Sequence, residues 1–310
     1  MKLRVAVVGV GHLGRHHARI LSTLPGVDLV GVVDTNRARA DEIARASRTE
    51  AAFDFRDVLG RVDAVTIAVP TERHRDIAAP FLASGLPVLV EKPMARSLAE
   101  ADAMIEAAAR AGTILAVGHT ERFNPAVDAA RPMLRDPRFI EVHRLGTFPE
   151  RSLDIDVVFD LMIHDLDVVL SVVRAEVESI DAVGVPVLTG RVDIANARVR
   201  FANGCIANLT ASRISRERVR KIRFFETAAY VSIDYALQKL EAYRLVKGTA
   251  KTPSIEGGEV MVANEEPLKR ELADFVDAIA ANRPPRVDGE QGRRALALAQ
   301  QITDRMTATT

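Results

Sequence analysis

Short runs of apolar, mostly β-branched residues alternate with longer amphipathic stretches from residue 3 to about 117. Such runs predict β-strands, and the amphipathic stretches predict helices, so the pattern indicates a parallel sheet covered by helices. The clearest helix is expected over 97–111, where Leu98, Ala101 and Ile105 recur at three- and four-residue spacing. The predicted strands are 3–8, 27–33, a weak one at 51–53, 63–69, 87–90 and 114–117.

The pattern changes after Gly118. A helix is predicted after Asn124-Pro125, a strand near 139–145, a helical run from about 157 to 173, and final helices over 267–281 and 289–306. Consecutive strands without intervening helices indicate a mostly antiparallel sheet. We therefore predict an α/β protein, with a doubly wound domain over 1–120 and an α+β domain with an open-faced sheet over 121–310. The strands predicted for that sheet are 177–188, 192–200, 204–213, 219–226, 229–234 and 240–246.

Composition favours a cytoplasmic protein with a small-molecule ligand. The 310 residues are 48% apolar, and Lys plus Arg equals Asp plus Glu at 42 each, so no basic excess points to nucleic acid. No apolar run approaches the roughly 18 residues of a membrane span, and we expect no membrane partner. The single cysteine, Cys205, permits neither an intrachain disulfide nor a cysteine metal cluster, and we expect a buried structural thiol.

A glycine-rich turn follows the first strand and leads directly into a helix. Such glycines permit a tight turn, close approach of a pyrophosphate and close helix packing, while the helix N-terminus stabilises phosphate charge. The context predicts a Rossmann dinucleotide site, because an aspartate, Asp34, also ends the second strand. The predicted cofactor contacts in the turn are Gly9, Gly11, His12, Leu13 and Gly14.

The choice of cofactor depends on Asp34. A carboxylate there accepts hydrogen bonds from the adenosine ribose and repels a 2′-phosphate, so we predict NAD. Arg37, three residues on, keeps NADP open as an alternative. The sheet order also brings Pro70 to the nicotinamide side. His12, His16 and His17 lack a carboxylate-rich shell in the sequence, so we predict no metal site.

Two segments carry residue types suited to alcohol oxidation, which needs a proton acceptor and a donor to the developing alkoxide. Lys92, within Glu91-Lys92-Pro93, follows the fifth strand, where open α/β sheets place ligands. Asp160 and His164 lie one turn apart on an apolar helix, where charged groups are costly unless paired or used. The alternatives are a surface lysine, a helix cap and a satisfied core histidine.

Together, the glycine turn with His17, the Glu91-Lys92-Pro93 motif and the Asp160/His164 pair resemble the glucose–fructose oxidoreductase, inositol dehydrogenase and rhizopine-catabolism family (Gfo/Idh/MocA) over essentially the whole chain. The resemblance implies that Lys92 hydrogen-bonds the reacting hydroxyl and that His164 is the general acid/base. Asp160 would bind substrate or tune the proton transfer, and Glu91 and Lys92 would also contact the cofactor. It further implies a homodimer or homotetramer packed through the open face of the second sheet.

One segment departs from the commonest pattern of that family. Asp154-Ile155-Asp156-Val157 replaces glycines that often precede the aspartate, and segments 118–125 and 154–167 resemble the members that oxidise the 3-hydroxyl of UDP-N-acetylglucosamine. Arginine suits a diphosphate because its planar guanidinium binds two oxygens at once. Arg122, Asn124 and Arg213 are therefore the candidate substrate contacts, with solvated side chains as the alternative.

Two other functions remain open at this point. One is an inositol or other free-sugar dehydrogenase of the same family. The other is a catalytically silent NAD-binding regulatory protein, against which the presence of Lys92, Asp160 and His164 argues.

Overall fold

The computed structural model describes residues 2–148, 155–246 and 254–308. The chain forms two compact units. The first combines the residues up to His119 with Leu268–Leu296, and the second combines Thr120–Pro267 with the residues from Ala297 on. The segment Leu268–Leu296 therefore lies with the first unit, whereas the sequence prediction placed all of 121–310 in the second. Asp154, part of the atypical segment noted above, lies outside the described residues.

The first unit is built on a six-stranded parallel sheet in the order β3-β2-β1-β4-β5-β6. The order reverses between β1 and β4, which is where open α/β sheets bind ligands. The predicted parallel architecture is confirmed, and each strand lies within a few residues of its predicted position. The strands are β1 (Leu3–Val8), β2 (Val27–Val33), β3 (Glu50–Ala52), β4 (Ala64–Ile67), β5 (Val88–Glu91) and β6 (Leu115–Gly118).

Four helices connect these strands: α1 (Gly14–Leu21), α2 (Arg37–Ser47), α3 (His74–Ala83) and α4 (Leu98–Ala111). Short 3₁₀ turns lie at Phe55–Val58 and Thr71–Arg73. The cap residues explain where α4 begins and ends. Ser97 accepts a hydrogen bond from the Glu100 N–H at its start, and Gly112 closes it with a φ of +62°, a conformation that glycine adopts without strain.

The second unit is built on a nine-stranded sheet in the order β14-β13-β12-β11-β7-β10-β9-β8-β15. Neighbouring strands are antiparallel except for the parallel pairs β7/β10 and β8/β15. The mostly antiparallel sheet is confirmed. Its strands are β7 (Phe139–Leu145), β8 (Val177–Val185), β9 (Ile194–Phe201), β10 (Ile206–Ser212), β11 (Val219–Phe225), β12 (Ala229–Asp234), β13 (Lys239–Val246), β14 (Ser254–Val260) and β15 (Met306–Ala308).

The strands β14 and β15 were not predicted. β14 contains Gly257 and Gly258, which weaken a strand pattern, and β15 has only three residues. Both exist because they pair with β13 and β8.

The helical parts of the second unit lie in two stretches. The 3₁₀ turns Thr120–Phe123 and Arg131–Met133 flank α5 (Pro125–Ala130), and a π-helical turn, Val158–Met162, continues into α6 (Ile163–Val172). The predicted helical run near 157–173 is confirmed. The π-turn within it was not foreseen, because hydrophobic spacing does not distinguish i→i+5 from i→i+4 hydrogen bonding over so few residues.

Two helices, α7 (Pro267–Ala280) and α8 (Gly289–Arg305), lie between β14 and β15. In the first unit, Leu272 and Phe275 of α7 join the core around β1 and α1. Gly292 of α8 lies so close to β6 that a Cβ there would come 2.6 Å from Val117. An apolar stripe predicts that a helix packs, but not which sheet it packs on.

Within the described residues, no helix combines the length and apolarity that crossing a membrane requires.

Candidate active site

The glycine turn after β1 has the geometry of a nucleotide-binding turn. Gly9 has a φ of +87°, and a Cβ there would lie 2.6 Å from the Ala68 carbonyl oxygen. A Cβ on Gly14 would collide with the Gly9 carbonyl oxygen, whereas at Gly11 the nearest atom is Arg39 Nη1 at 3.7 Å. At Gly9 and Gly14, neighbouring backbone atoms therefore leave no room for a side chain. Gly11 leaves an open surface over which a pyrophosphate fits.

Asp34 lies immediately after β2, beside this turn. Its Oδ2 accepts the Val10 N–H at 3.0 Å, and its Oδ1 accepts the Asn36 N–H at 2.9 Å. Each carboxylate oxygen can accept a further hydrogen bond. The held carboxylate therefore suits the two ribose hydroxyls of NAD, and its charge opposes a 2′-phosphate.

Three more predicted cofactor residues lie at the same edge of the sheet. His12 is exposed in the turn, and Leu13 directly precedes α1 and packs partly against the core. Pro70 is exposed after β4 and precedes the Thr71–Arg73 turn. Their contacts with a cofactor stay predictions.

Glu91 is buried at the end of β5, directly before Lys92. Its Oε1 lies 3.0 Å from His17 Nε2, and its Oε2 accepts the Lys92 backbone N–H at 3.3 Å. Gly118 of β6 lies opposite Glu91 of β5, and a Cβ on Gly118 would lie 2.7 Å from Glu91 Oε1. Lys92 itself is half-buried, and its peptide bond to Pro93 is cis. The carboxylate thus holds the backbone from which Lys92 emerges.

Glu271 of α7 also reaches this position. The ligand atoms of His17, Glu91 and Glu271 lie within 4.8 Å of one another, and all three residues are buried. This spacing is compatible with a metal ion, but one ring nitrogen of His17, Nε2, already bonds to Glu91. Sequence reasoning missed Glu271, because nothing local in α7 connects it with β5.

His74, the first residue of α3, joins the segments that follow β4 and β5. Its Nδ1 lies 3.0 Å from the Pro93 carbonyl oxygen, and its Nε2 lies 2.9 Å from that of Val69. Burial lowers the pKa of His74, although hydrogen bonds to the carbonyls and the charge of Glu91 oppose the shift. This residue was also missed, since a single histidine at a helix start has no sequence signature.

In the second unit, Asp160 lies in the π-turn and His164 lies in the first turn of α6. Both side chains are half-buried. π-turns occur frequently at functional sites, where they re-aim side chains. The catalytic roles of Lys92, Asp160 and His164 stay predictions.

A buried ionic network follows His164 directly. Arg144 of β7 binds Asp165 through two nitrogens, with Nε–Oδ2 at 2.6 Å and Nη2–Oδ1 at 3.0 Å. Its Nη1 also donates to Glu121 at 3.0 Å, and its guanidinium lies 5.2 Å from the Tyr235 ring centre. Burial lowers the pKa of Arg144, but the charges of Asp165 and Glu121 outweigh it and raise that pKa above its ordinary value. The network anchors α6 to the sheet.

The candidate substrate residues Arg122 and Asn124 are buried next to this network. Arg122 donates to Asp167 Oδ1 at 3.1 Å. Asn124 caps α5 by accepting the Ala126 N–H at 3.1 Å, and its Nδ2 donates to the Tyr235 carbonyl at 3.1 Å. These partners belong to the protein, and contact with substrate stays a prediction.

Arg213 is the third candidate and is 1% exposed. Its Nε lies 3.1 Å from Asp193, and its Nη2 donates to the carbonyls of Ile155 and Val192. Through these contacts Arg213 holds the segments around Ile155 and Asp193 in place, while its predicted contact with substrate stays untested.

Cys205 is buried as expected, and burial raises the pKa of its thiol to about 11, which disfavours a reactive thiolate.

Known proteins share this architecture. The model of the NAD-binding Rossmann fold of the GFO/IDH/MocA oxidoreductases matches residues 3–119, and that of the GFO/IDH/MocA C-terminal domain matches residues 135–231. The UDP-N-acetylglucosamine 3-dehydrogenase of Acidithiobacillus ferrooxidans is 41% identical over 302 residues, which cover 97% of this chain and 96% of that protein. The chain belongs to the GFO/IDH/MocA oxidoreductase family.

Further comparisons agree with that placement. The solved structure of the Acidithiobacillus ferrooxidans enzyme has a TM-score of 0.92 at 40% identity and covers 99% of this chain and 98% of that one. The scyllo-inositol 2-dehydrogenase (NAD(+)) of Bacillus subtilis is 32% identical over 233 residues, 69% of this chain and 68% of that protein. The resemblance inferred from the motifs is confirmed. This GFO/IDH/MocA protein is an NAD-dependent dehydrogenase acting on CH–OH groups, and its first unit is the NAD-binding Rossmann domain.

Proposed function

We propose that this protein oxidises the C3 hydroxyl of UDP-N-acetylglucosamine in the cytoplasm, forming a 3-keto sugar, NADH and a proton. The observation that carries the proposal is the 41% identity to a UDP-N-acetylglucosamine 3-dehydrogenase along 97% of the chain. Segments 118–125 and 154–167, which depart from the free-sugar pattern, support the same substrate.

Each reacting group has a proposed partner in the chain. Bound NAD supplies the hydride acceptor. The Lys92 amine donates a hydrogen bond to the reacting oxygen and stabilises the alkoxide as the hydroxyl proton leaves. His164 accepts that proton, and Asp160, in the preceding turn, binds the sugar or tunes the transfer.

The substrate assignment is tested by measuring NADH formation with UDP-N-acetylglucosamine, with myo-inositol and glucose as controls. Because alcohol oxidation by NAD is commonly uphill, the ketone is trapped by a coupled aminotransferase or the assay is run at alkaline pH. We expect turnover of the nucleotide sugar and at least about tenfold lower kcat/KM for both controls. Turnover of a free polyol without turnover of the nucleotide sugar would reject the substrate and leave the oxidoreductase assignment intact.

We also propose that the protein is a homo-oligomer that packs through the half-exposed face of its nine-stranded sheet. Four aromatic side chains lie directly opposite one another on this face, across β7, β11, β12 and β13. Successive ring centres are 5.6, 5.1 and 6.1 Å apart. A row of this kind is suited to burial against a second copy. The row consists of Phe139, Phe225, Tyr230 and Tyr243.

A further inference from the structure

A buried polar cluster lies at the base of the Lys92 segment. It joins His17 of α1, Glu91 of β5 and Glu271 of α7, which are 0%, 4% and 1% exposed. Burying charged or polar groups costs free energy, and an apolar substitute of similar volume is often as stable or more stable. Stability alone therefore does not account for a glutamate at this point of α7.

Glu271 lies at a position of α7 where an apolar residue would fit the core. Leu268 lies three residues before it and Phe275 four residues after it, so all three share the face of α7 that enters the core. A leucine at 271 would continue that apolar stripe. The chain instead places a carboxylate there, within 4.8 Å of a ring nitrogen of His17 and a carboxylate oxygen of Glu91.

The cluster connects the glycine turn with Lys92. Helix α1 begins at Gly14, which ends the turn, and carries His17 one turn later. His17 holds one oxygen of Glu91 at 3.0 Å, and the other oxygen accepts the Lys92 N–H at 3.3 Å. Moving the Glu91 carboxylate would therefore move the backbone of Lys92.

We propose that Glu271 is a positioning residue for Lys92. With His17, it confines the Glu91 carboxylate to the place where that carboxylate fixes the Lys92 backbone amide, and so sets where the Lys92 amine emerges. The role in turnover rests on the proposed function, in which Lys92 stabilises the alkoxide.

The kinetic test compares Glu271→Ala and Glu271→Gln with Asp277→Asn, a change at an exposed acidic residue of the same helix. We expect Glu271→Ala to lower kcat by about tenfold with the KM values for NAD and sugar within about twofold of wild type. Glu271→Gln, which keeps the side-chain shape and an acceptor oxygen, should retain most of the activity. Asp277→Asn should match wild type. An unchanged kcat in folded Glu271→Ala would overturn the proposal.

A double-mutant cycle separates positioning from general loss of structure. In a Lys92→Ala background, Glu271→Ala should lower kcat by less than about twofold, because the group it positions is already gone. The same tenfold loss in both backgrounds would show that Glu271 acts independently of Lys92 and would overturn the proposal.

A third measurement does not depend on turnover. The labelling rate of Lys92 by an amine-specific acylating reagent is followed by mass spectrometry with NAD present, with exposed Lys269 as the internal reference. We expect at least a roughly threefold change at Lys92 in Glu271→Ala, or in Glu271→Leu where the alanine variant fails to fold, with no change at Lys269. An unchanged rate at Lys92 in the folded variant would overturn the proposal. Failure of the nucleotide-sugar assay alone would instead reject the substrate.

Discussion

Single carboxylates hold the glycine turn and the backbone of the candidate catalytic lysine. Asp34 uses one oxygen to hold the glycine turn and the other to hold the start of α2, which leaves both oxygens capacity for ribose hydroxyls. Glu91 similarly holds His17 with one oxygen and the Lys92 backbone with the other. Each carboxylate fixes backbone on which a predicted ligand contact depends, so we expect its substitution to affect both the fold and ligand binding.

The roles proposed for Lys92 and His164 predict that substituting either residue lowers kcat without weakening NAD binding. Lys92→Ala or His164→Ala should lower kcat by about 10²-fold or more, because an alkoxide donor or a proton acceptor is lost, while NAD binding stays largely intact. Stopped-flow or steady-state NADH absorbance gives kcat, and isothermal titration calorimetry gives the NAD dissociation constant. Lys269→Ala and His143→Ala are the matched controls. Turnover near that of wild type in both test variants contradicts the assignment.

At the scale of elements, the segment before α6 is held by the loop between β8 and β9. Asp193 accepts the backbone N–H groups of Val187, Leu188 and Thr189. Burial raises the pKa of Asp193, but these hydrogen bonds outweigh it and hold that pKa below its ordinary value. Arg213 pairs with Asp193 and also donates to the carbonyl of Ile155, three residues before the π-turn begins.

This arrangement predicts that Arg213→Met destabilises the fold. Removing one partner leaves the Asp193 charge buried, a change that typically costs about 3–5 kcal/mol. Chemical denaturation should show this loss in the free energy of unfolding, whereas Arg174→Met, at an exposed position, should stay near wild type. A raised KM for substrate with unchanged stability would instead support the substrate contact predicted from the sequence.

The histidine that joins the segments after β4 and β5 predicts a pH dependence of stability. Burial lowers the pKa of His74 in the folded chain, so the unfolded chain binds its proton more readily. The contribution of His74 is therefore complete above the unfolded pKa of about 6.5 and is lost as pH falls below it. Denaturation series across this range should show a weaker dependence in His74→Asn than in wild type or His143→Asn. Identical slopes in all three proteins would contradict the prediction.

The aromatic row on the second sheet bears on how copies of the chain assemble. Tyr243 is 37% exposed at one end of the row, while Phe139, Phe225 and Tyr230 are half-exposed. Polar pairs such as Asn196–Thr210 and Arg198–Asn208 share the sheet. An apolar row bordered by polar pairs resembles the core and rim of an interface.

We therefore predict a dimer or tetramer in sedimentation at micromolar concentration. Tyr230→Asp places a charge in the middle of the row and should shift the equilibrium towards monomer. Leu237→Asp, at a 65% exposed position in the turn after β12, should leave the assembly unchanged. A wild-type monomer at this concentration would exclude the interface.

Much of this protein follows from its sequence alone. The glycine turn, Asp34 and most strands were predicted, because tight turns, strand patterns and helix periodicity depend on residues close together in the chain. The family also follows from short motifs, since Glu91-Lys92-Pro93 and the Asp160/His164 spacing are local. These features depend on neighbouring residues, and neighbours are what a sequence displays directly.

Contacts between segments far apart in the sequence depend on how the whole chain packs. In the folded chain, Glu271 lies beside His17 and Glu91, and Arg213 pairs with the buried Asp193. Helix α7 packs in the first unit, although it follows the second unit's strands in the sequence. An apolar stripe specifies that a helix is buried, and a charged residue within it specifies that a partner exists. Neither specifies which partner, because any complementary surface satisfies the same pattern, and only the packing of the whole chain selects one.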